Sequence, residues 1–211
     1  MSGQHNKGRI LTNIFTSNGG IGTKVGNQMN QRLAWAITGS GHYLRESLAI
    51  LNTLENVDVF LSRAAAEIIQ QYGFQQLLNG TGHRVYQDKT ASSVPVELFY
   101  QGKYHTLVIA PATSNTIAKM AYGFSDSLVT NLYAQAGKTR VPSIVFACDT
   151  APELESEAPR DNVVKVYPRK IDLDNIAKIK MFEATTVVED MQGLSASIHT
   201  RMQSIIQPQN G

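Results

Sequence analysis

The chain has 211 residues with a formal net charge of +2, 42% hydrophobic and 17% charged residues. That is the composition of one ordinary globular domain and excludes a disordered or fibrous chain. Lys and Arg never run beyond pairs such as Arg169-Lys170, so no nucleic-acid footprint is present. Apolar runs such as Leu107 to Ala110 fall far short of the roughly 20 residues of a bilayer span.

Residues 1 to 32 are polar, hold few apolar groups (Ile10, Leu11, Ile14, Phe15, Ile21, Val25) and have three glycines at Gly19, Gly20 and Gly22. They read as an N-terminal extension or tag: a tail, a cloning remnant or an oligomer-binding arm. No apolar secretion core is found there, so a cytoplasmic location is expected. One cysteine, Cys148, excludes an internal disulfide framework and a multi-cysteine metal site. His5, His42, His83, His105 and His199 lack ligand spacing, and no metal is expected.

From Leu33 the texture changes. Leu33 to Ile37 is a continuous apolar run ending in Thr38-Gly39-Ser40-Gly41, the pattern of a buried strand and a tight loop. Leu44, Leu48, Leu51 and Leu54 are spaced for one helix face. Val57 to Leu61 predicts a second strand, and Ser62-Arg63 lead into an alanine-rich helix stopped at Gly73. Phe74 to Gln101 carries weaker signals: a turn at Asn79-Gly80-Thr81-Gly82 and a short apolar segment from Val94 to Tyr100. Thr106 to Ala110 predicts a parallel-type strand, followed through Pro111 to Thr116 by a helix bearing Ile117, Ala118 and Ala121. A further helix is expected over about 126–136, then a buried strand over 142–147. Past Cys148-Asp149, Pro152 and Pro159 among acidic residues predict a loop. Val163 to Tyr167 (strand), Asp172 to Met181 (helix), Thr186 to Val188 (strand) and a helix carrying Leu194, Ile198 and Ile205 complete the chain. This alternation predicts one α/β domain, a parallel sheet with helices on both faces.

In such a sheet ligands bind beyond the carboxyl ends of the strands, where strand order reverses. Three strand ends offer small and hydroxyl residues directly before a helix: Thr38-Gly39-Ser40-Gly41-His42, Ser62-Arg63, and Ala112-Thr113-Ser114-Asn115-Thr116. Free backbone N–H groups and the helix dipole favour a phosphate there. Each end taken singly also reads as a simple capped turn; together they point to a phosphorylated cofactor. Leu44 stands where a dinucleotide fingerprint needs glycine, and Leu132 where a phosphate loop ending in Gly137-Lys138-Thr139 needs its first glycine. Cys148, at the end of an apolar strand, is expected to be a buried inert thiol.

The string from Ala110 to Lys119, Ala-Pro-Ala-Thr-Ser-Asn-Thr-Ile-Ala-Lys, followed by Gly123-Phe124-Ser125-Asp126-Ser127-Leu128, resembles the flavoprotein superfamily that includes homo-oligomeric flavin-containing cysteine decarboxylases. Its marks are P-A-S/T-x-N-T and a downstream G-x-x-D-x-L. The resemblance covers about residues 33–149 and implies a flavodoxin-like Rossmannoid fold over an FMN-binding domain at 33–211, in a homo-oligomer (trimer or dodecamer). It further implies that Gly39, Ser40 and Ser62 hold the FMN phosphate, while Ala112, Thr113, Ser114, Asn115 and Thr116 line the ribityl chain and the ring, with Thr38, Gly41, Arg63 and Pro111 as further cofactor-binding residues. The histidine base and the M-N-x-x-M clamp of the decarboxylase branch have no counterpart here, nor has the aromatic C-terminal segment of the prenyltransferases. The loop Ile37-Thr38-Gly39-Ser40-Gly41-His42 with Leu44 and Glu46, and Arg169 to Asn175, look like the archaeoflavoprotein and dihydromethanopterin reductase branch. That branch implies reduction of dihydromethanopterin to the tetrahydro form by hydride from reduced flavin, with a nicotinamide, ferredoxin or flavoprotein as electron donor. Asn115 and His42 are the expected catalytic residues, and Asp126 is expected to cap a helix. An FMN electron carrier serving iron–sulfur partners is the alternative, with a decarboxylase behind it.

Overall fold

The computed structural model describes residues 31–79, 82–88, 94–158 and 162–206. The proposed N-terminal extension therefore lies almost wholly outside the described residues. Chain order is β1 (Arg32–Ile37), α1 (Leu44–Leu51), β2 (Val57–Leu61), α2 (Arg63–Gln71), α3 (Gln75–Asn79), β3 (Arg84–Gln87), α4 (Val94–Tyr100) and β4 (Tyr104–Ala112). It continues with α5 (Ser114–Ala121), α6 (Leu128–Lys138), β5 (Ser143–Ala147), β6 (Leu154–Ala158), β7 (Asn162–Val166), α7 (Lys170–Ile179), β8 (Thr185–Val188) and α8 (Met191–Ile206).

Six strands form a parallel sheet in the order β3-β2-β1-β4-β5-β8. From β1 at the centre the chain winds outward through β2 and β3, and then crosses back to β4 on the other side of β1. Strand order thus reverses between β1 and β4, the position where an open α/β sheet leaves a crevice at its carboxyl edge. Successive residues of a strand point to opposite faces, so β1 feeds two cores. Leu33, Trp35 and Ile37 pack with α1, α2 and α8, and Ala34 and Ala36 pack with α5, α6 and α7. Helices on both faces explain why these strands read as unbroken apolar runs. Trp35 is fully buried and its indole N–H donates to the Ala110 carbonyl at 2.9 Å, tying β1 to β4. The fold is the flavodoxin-like, Rossmannoid α/β architecture.

Two segments differ from the sequence-based expectation. The stretch after Asp149 is no simple loop, because β6 pairs antiparallel with β7 in a separate two-stranded ribbon. Pro152 precedes β6, so it removes no ladder N–H, and Pro159 lies outside the described residues. Glu155 opposes Lys165 across the ribbon, and Lys165 Nζ pairs with Glu153 at 2.7 Å, so acids that look like loop composition have a cross-strand partner. The apolar segment from Val94 to Tyr100 is helical, and β3, which has little apolar content, joins the sheet edge beside β2. No helix among the described residues is long and apolar enough to cross a membrane.

Candidate functional site

The carboxyl ends of β1, β2 and β4 surround a cavity of about 490 Å³ at the switch point. Thr38 and Gly39 come from β1, Ser62 and Arg63 from β2, and Thr113, Asn115 and Thr116 from β4. This size lies within the range of small-ligand sites.

Thr38 holds the site together. Its hydroxyl donates to the Pro111 carbonyl at 2.8 Å and accepts from the Thr113 N–H at 2.8 Å, so the ends of β1 and β4 are stapled by one buried side chain. Gly39 allows the first loop to lie against the start of α2, since a Cβ there would come within 2.4 Å of the Ala64 Cβ.

Two helices begin at the cavity with hydroxyl caps. Ser62 Oγ accepts from the Ala65 N–H at 3.0 Å, and Thr113 Oγ1 accepts from the Thr116 N–H at 3.3 Å. Each cap satisfies one of the four orphan amides of a helix start and leaves the first ones open. At Arg63, Ala64, Ser114 and Asn115 no backbone acceptor is found for the N–H among the described residues. These are the donors an anion would take. The start of α6 also reaches the cavity through Ser127, but there the Leu128 and Thr130 amides are already used, which leaves only Val129 without an acceptor among the described residues. Asp88 accepts from the Leu128 N–H at 3.1 Å, and Ser127 and Thr130 form a capping box. The anion-accepting edge is therefore the α2 and α5 starts.

Two cations border it. Arg63 is exposed and its Nε donates to the Asp88 carbonyl at 3.3 Å. Lys119, which reads in sequence as a solvated face residue, lines the cavity and pairs with Asp126 at 2.8 Å. This hydrogen bond holds the Asp126 carboxyl below its usual range. Asp126 is accordingly not the helix cap that its position suggests; Ser127 is, because its hydroxyl reaches the Thr130 N–H while Asp126 turns back to α5. The Asn115 side chain is exposed, lines the cavity and has no hydrogen-bond partner among the described residues.

The remaining expected site residues lie outside the cavity lining. Pro111 and Ala112 offer carbonyls to Thr38 and to the Cys148 N–H. Ser40 Oγ donates to the His42 carbonyl at 3.2 Å, and Gly41 lies against the Tyr72 hydroxyl, which a Cβ would meet at 2.2 Å. Ser114 Oγ makes a short hydrogen bond to Asp149. His42 is half-buried, its ring 3.8 Å from that of Tyr43, and its buried Nδ1 has no partner among the described residues. Burial pushes its pKa down, partly offset by the carboxylates of Asp149 and Glu46. Cys148 is buried, and desolvation pushes its thiol up to about 12, the inert state expected of it.

Sequence reasoning missed Asp88, Ser127 and Lys119 as cavity residues. Ser127-x-x-Thr130 is a readable capping signal, whereas Asp88 reaches α6 only through the fold, 40 residues away. No group of His, Cys, Asp and Glu with metal-binding potential occurs among the described residues.

Comparison with known proteins gives consistent relatives. An uncharacterized protein of Methanocaldococcus jannaschii is 32% identical over 174 residues, 79% of this chain and 94% of that one. The dihydromethanopterin reductase (acceptor) of Methanosarcina mazei is 39% identical over 142 residues, 61% of this chain and 59% of that one, so this chain spans only about three-fifths of the reductase. Burkholderia xenovorans DmrB in complex with FMN, described as a cubic protein cage for redox transfer, superposes with a TM-score of 0.78 at 46% identity. The match covers 84% of this chain and 98% of that one. The family model named Flavoprotein matches residues 22–207, and with most of its length so matched the chain belongs to the Flavoprotein family.

Proposed function

We propose that this chain is an FMN-dependent oxidoreductase that reduces a dihydropterin of the dihydromethanopterin type, with residues 33–211 as the FMN-binding domain. The observation that carries the reading is the pairing of two capped helix starts, with open amides at Arg63, Ala64, Ser114 and Asn115, around one cavity at the switch point. Such an edge suits a phosphate, and the cavity is large enough to take an attached ring. The similarity to DmrB in complex with FMN supports FMN as the cofactor, and the similarity to the reductase from Methanosarcina mazei supports a dihydropterin as the substrate class.

In this reading Gly39, Ser62 and the amides of Arg63 and Ala64 bind the phosphate, with Arg63 adding charge. The segment from Pro111 to Thr116 lines the rest of the cofactor, Thr38 fixing its position and Thr113 and Thr116 facing the cavity. Ser40 and Gly41 shape the loop that brings Gly39 to α2. FMN, when bound, supplies the hydride carrier, and the protein positions and tunes it. Asn115, with a free side-chain amide at the cavity, orients the ring and the substrate. His42 stands on the flanking loop and holds a proton for a substrate nitrogen. Its lowered pKa keeps it mainly neutral at pH 7, so proton delivery through it strengthens as pH falls. A homo-oligomer, as in the cage of DmrB, is part of the proposal. The electron donor is a nicotinamide, a ferredoxin or another flavoprotein.

The test is a visible spectrum of the purified protein, then anaerobic addition of dihydropterin to the chemically reduced sample. Return of the oxidised flavin spectrum as pterin is consumed supports the reductase. Flavin that stays reduced rejects it in favour of an electron carrier, and failure of the protein to take up FMN rejects both.

A further inference from the structure

The opposite end of the sheet holds an arginine whose charge has no acidic partner among the described residues. Arg201, on α8, reaches under the start of β4. Its Nε donates to Thr106 Oγ1 at 3.0 Å, its Nη2 to the His105 carbonyl at 2.9 Å, and its Nη1 to Ser204 Oγ at 3.0 Å. A guanidinium has five N–H donors. Three are engaged among the described residues, leaving one N–H on each terminal nitrogen to donate to a carboxylate or phosphate. Among the described residues no carboxylate lies within ion-pair distance of Arg201, unlike Arg32 and Arg169. All three partners are neutral acceptors. Burial lowers the Arg201 pKa, the sign of a charge taken partly out of water without compensation. His105 adds no charge of its own, since burial brings its pKa down to about 4.

Beside this guanidinium lies an open cleft of about 390 Å³ between α8 and the starts of β5 and β8. Ser197, Thr200, Arg201 and Ser204 follow the i, i+3, i+4, i+7 spacing of one helix face, and all four line the cleft. Thr186 faces them from β8, while Pro142, Ile144 and Ala196 supply apolar wall. Ser197, Thr200 and Thr186 have no side-chain hydrogen bond among the described residues. The negative end of the α8 dipole opposes an anion, but that effect falls off within the last turn. Ser197 and Thr200 stand further back along the helix, which ends at Ile206.

We infer that this cleft is an anion-binding site, separate from the cavity at the other end of the sheet, which takes a carboxylate or phosphate group carried on a small apolar body. Arg201 holds the charged group, the hydroxyls of Ser197, Thr200 and Thr186 complete its hydrogen bonds, and the apolar wall covers the body.

The test is isothermal titration of the full-length protein with phenyl phosphate, benzoate and inorganic phosphate in separate arms. Saturable binding of phenyl phosphate or benzoate, with inorganic phosphate at least about tenfold weaker, is expected; the tighter organic arm identifies the charged group. Arg201→Lys keeps the charge but loses the fork and should weaken binding at least about tenfold. Ser197→Asp places a carboxylate on the cleft wall. It should abolish binding and raise the thermal midpoint, because it supplies the missing counter-charge, an outcome that a misfolded variant cannot imitate. Inorganic phosphate binding as well as the organic anions and unchanged in Arg201→Lys would mean an adventitious ion only and overturn the site. Saturable binding that persists in Ser197→Asp, or no binding of any probe to the wild type, would overturn it as well.

Discussion

The two ends of the parallel sheet treat their polar groups in opposite ways. At the amino end, Arg32, Asp58 and Tyr104 close on one another: Arg32 Nε meets Asp58 Oδ1 at 2.7 Å, Arg32 Nη2 donates to the Val57 carbonyl at 2.8 Å, and the Tyr104 hydroxyl donates to Asp58 Oδ2 at 2.8 Å. Burial and the Asp58 charge push the Tyr104 hydroxyl well above its ordinary pKa, so it stays a donor. At the carboxyl end, Ser62 and Thr113 satisfy one amide each and leave others open around a cavity. A polar group satisfied within the chain contributes to holding the fold, and one left open in a concave site is available to a ligand. Arg201 is the exception at the amino end, tied to β4 yet with two N–H donors unengaged among the described residues.

The contrast can be broken most severely at Asp58, which is 1% exposed. Asp58→Ala leaves Arg32 and Tyr104 without their partner, and removal of one member of a buried pair costs about 3–5 kcal/mol. Urea unfolding should register that loss, while FMN affinity of the folded fraction stays within about twofold, because the other end is untouched. A smaller loss is expected on acidification through His105. Burial holds its pKa in the folded chain at about 4, against about 6.5 for an ordinary histidine. Its contribution is therefore fully present above pH 6.5 and is lost as pH falls from there toward 4. Relative to His105→Gln, the wild type should lose about 2–3 kcal/mol of unfolding free energy between pH 7 and 4.5. Equal pH dependence of the two proteins would contradict this.

At the carboxyl end the effects move to binding. Asp caps a helix as well as Ser does, so Ser62→Asp keeps α2 and its thermal midpoint while placing like charge against a phosphate. FMN affinity should fall about a hundredfold, near 2.7 kcal/mol, as flavin fluorescence titration would read. Asn115→Ala should leave both stability and FMN affinity nearly unchanged, since the side chain is exposed and unpartnered among the described residues. It should lower turnover of dihydropterin about tenfold; equal loss in FMN binding would make Asn115 a cofactor ligand only.

The sheet was legible where burial on two faces writes long apolar runs, as in β1, β2, β4 and β5. It was not legible in β3, an edge strand with mostly exposed residues, or in β6, whose acids find Lys165 only through pairing. The three hydroxyl-rich strand ends were readable because caps and tight turns need particular residues at particular places. Which of those groups face the cavity was not. Thr38 and Ser40 are alike in sequence, yet Thr38 is consumed in stapling β4 and Ser40 turns to the His42 carbonyl. Asp88 enters the site through a long-range contact with α6 that no local pattern encodes.

The central claim, that the open amides of α2 and α5 form a phosphate cradle, is tested most directly by comparing FMN with riboflavin, the same ring and ribityl chain without the phosphate. The account predicts that the wild type binds FMN at least about a hundredfold more tightly and that Ser62→Asp erases most of the difference. Equal affinity of the wild type for the two flavins would contradict it.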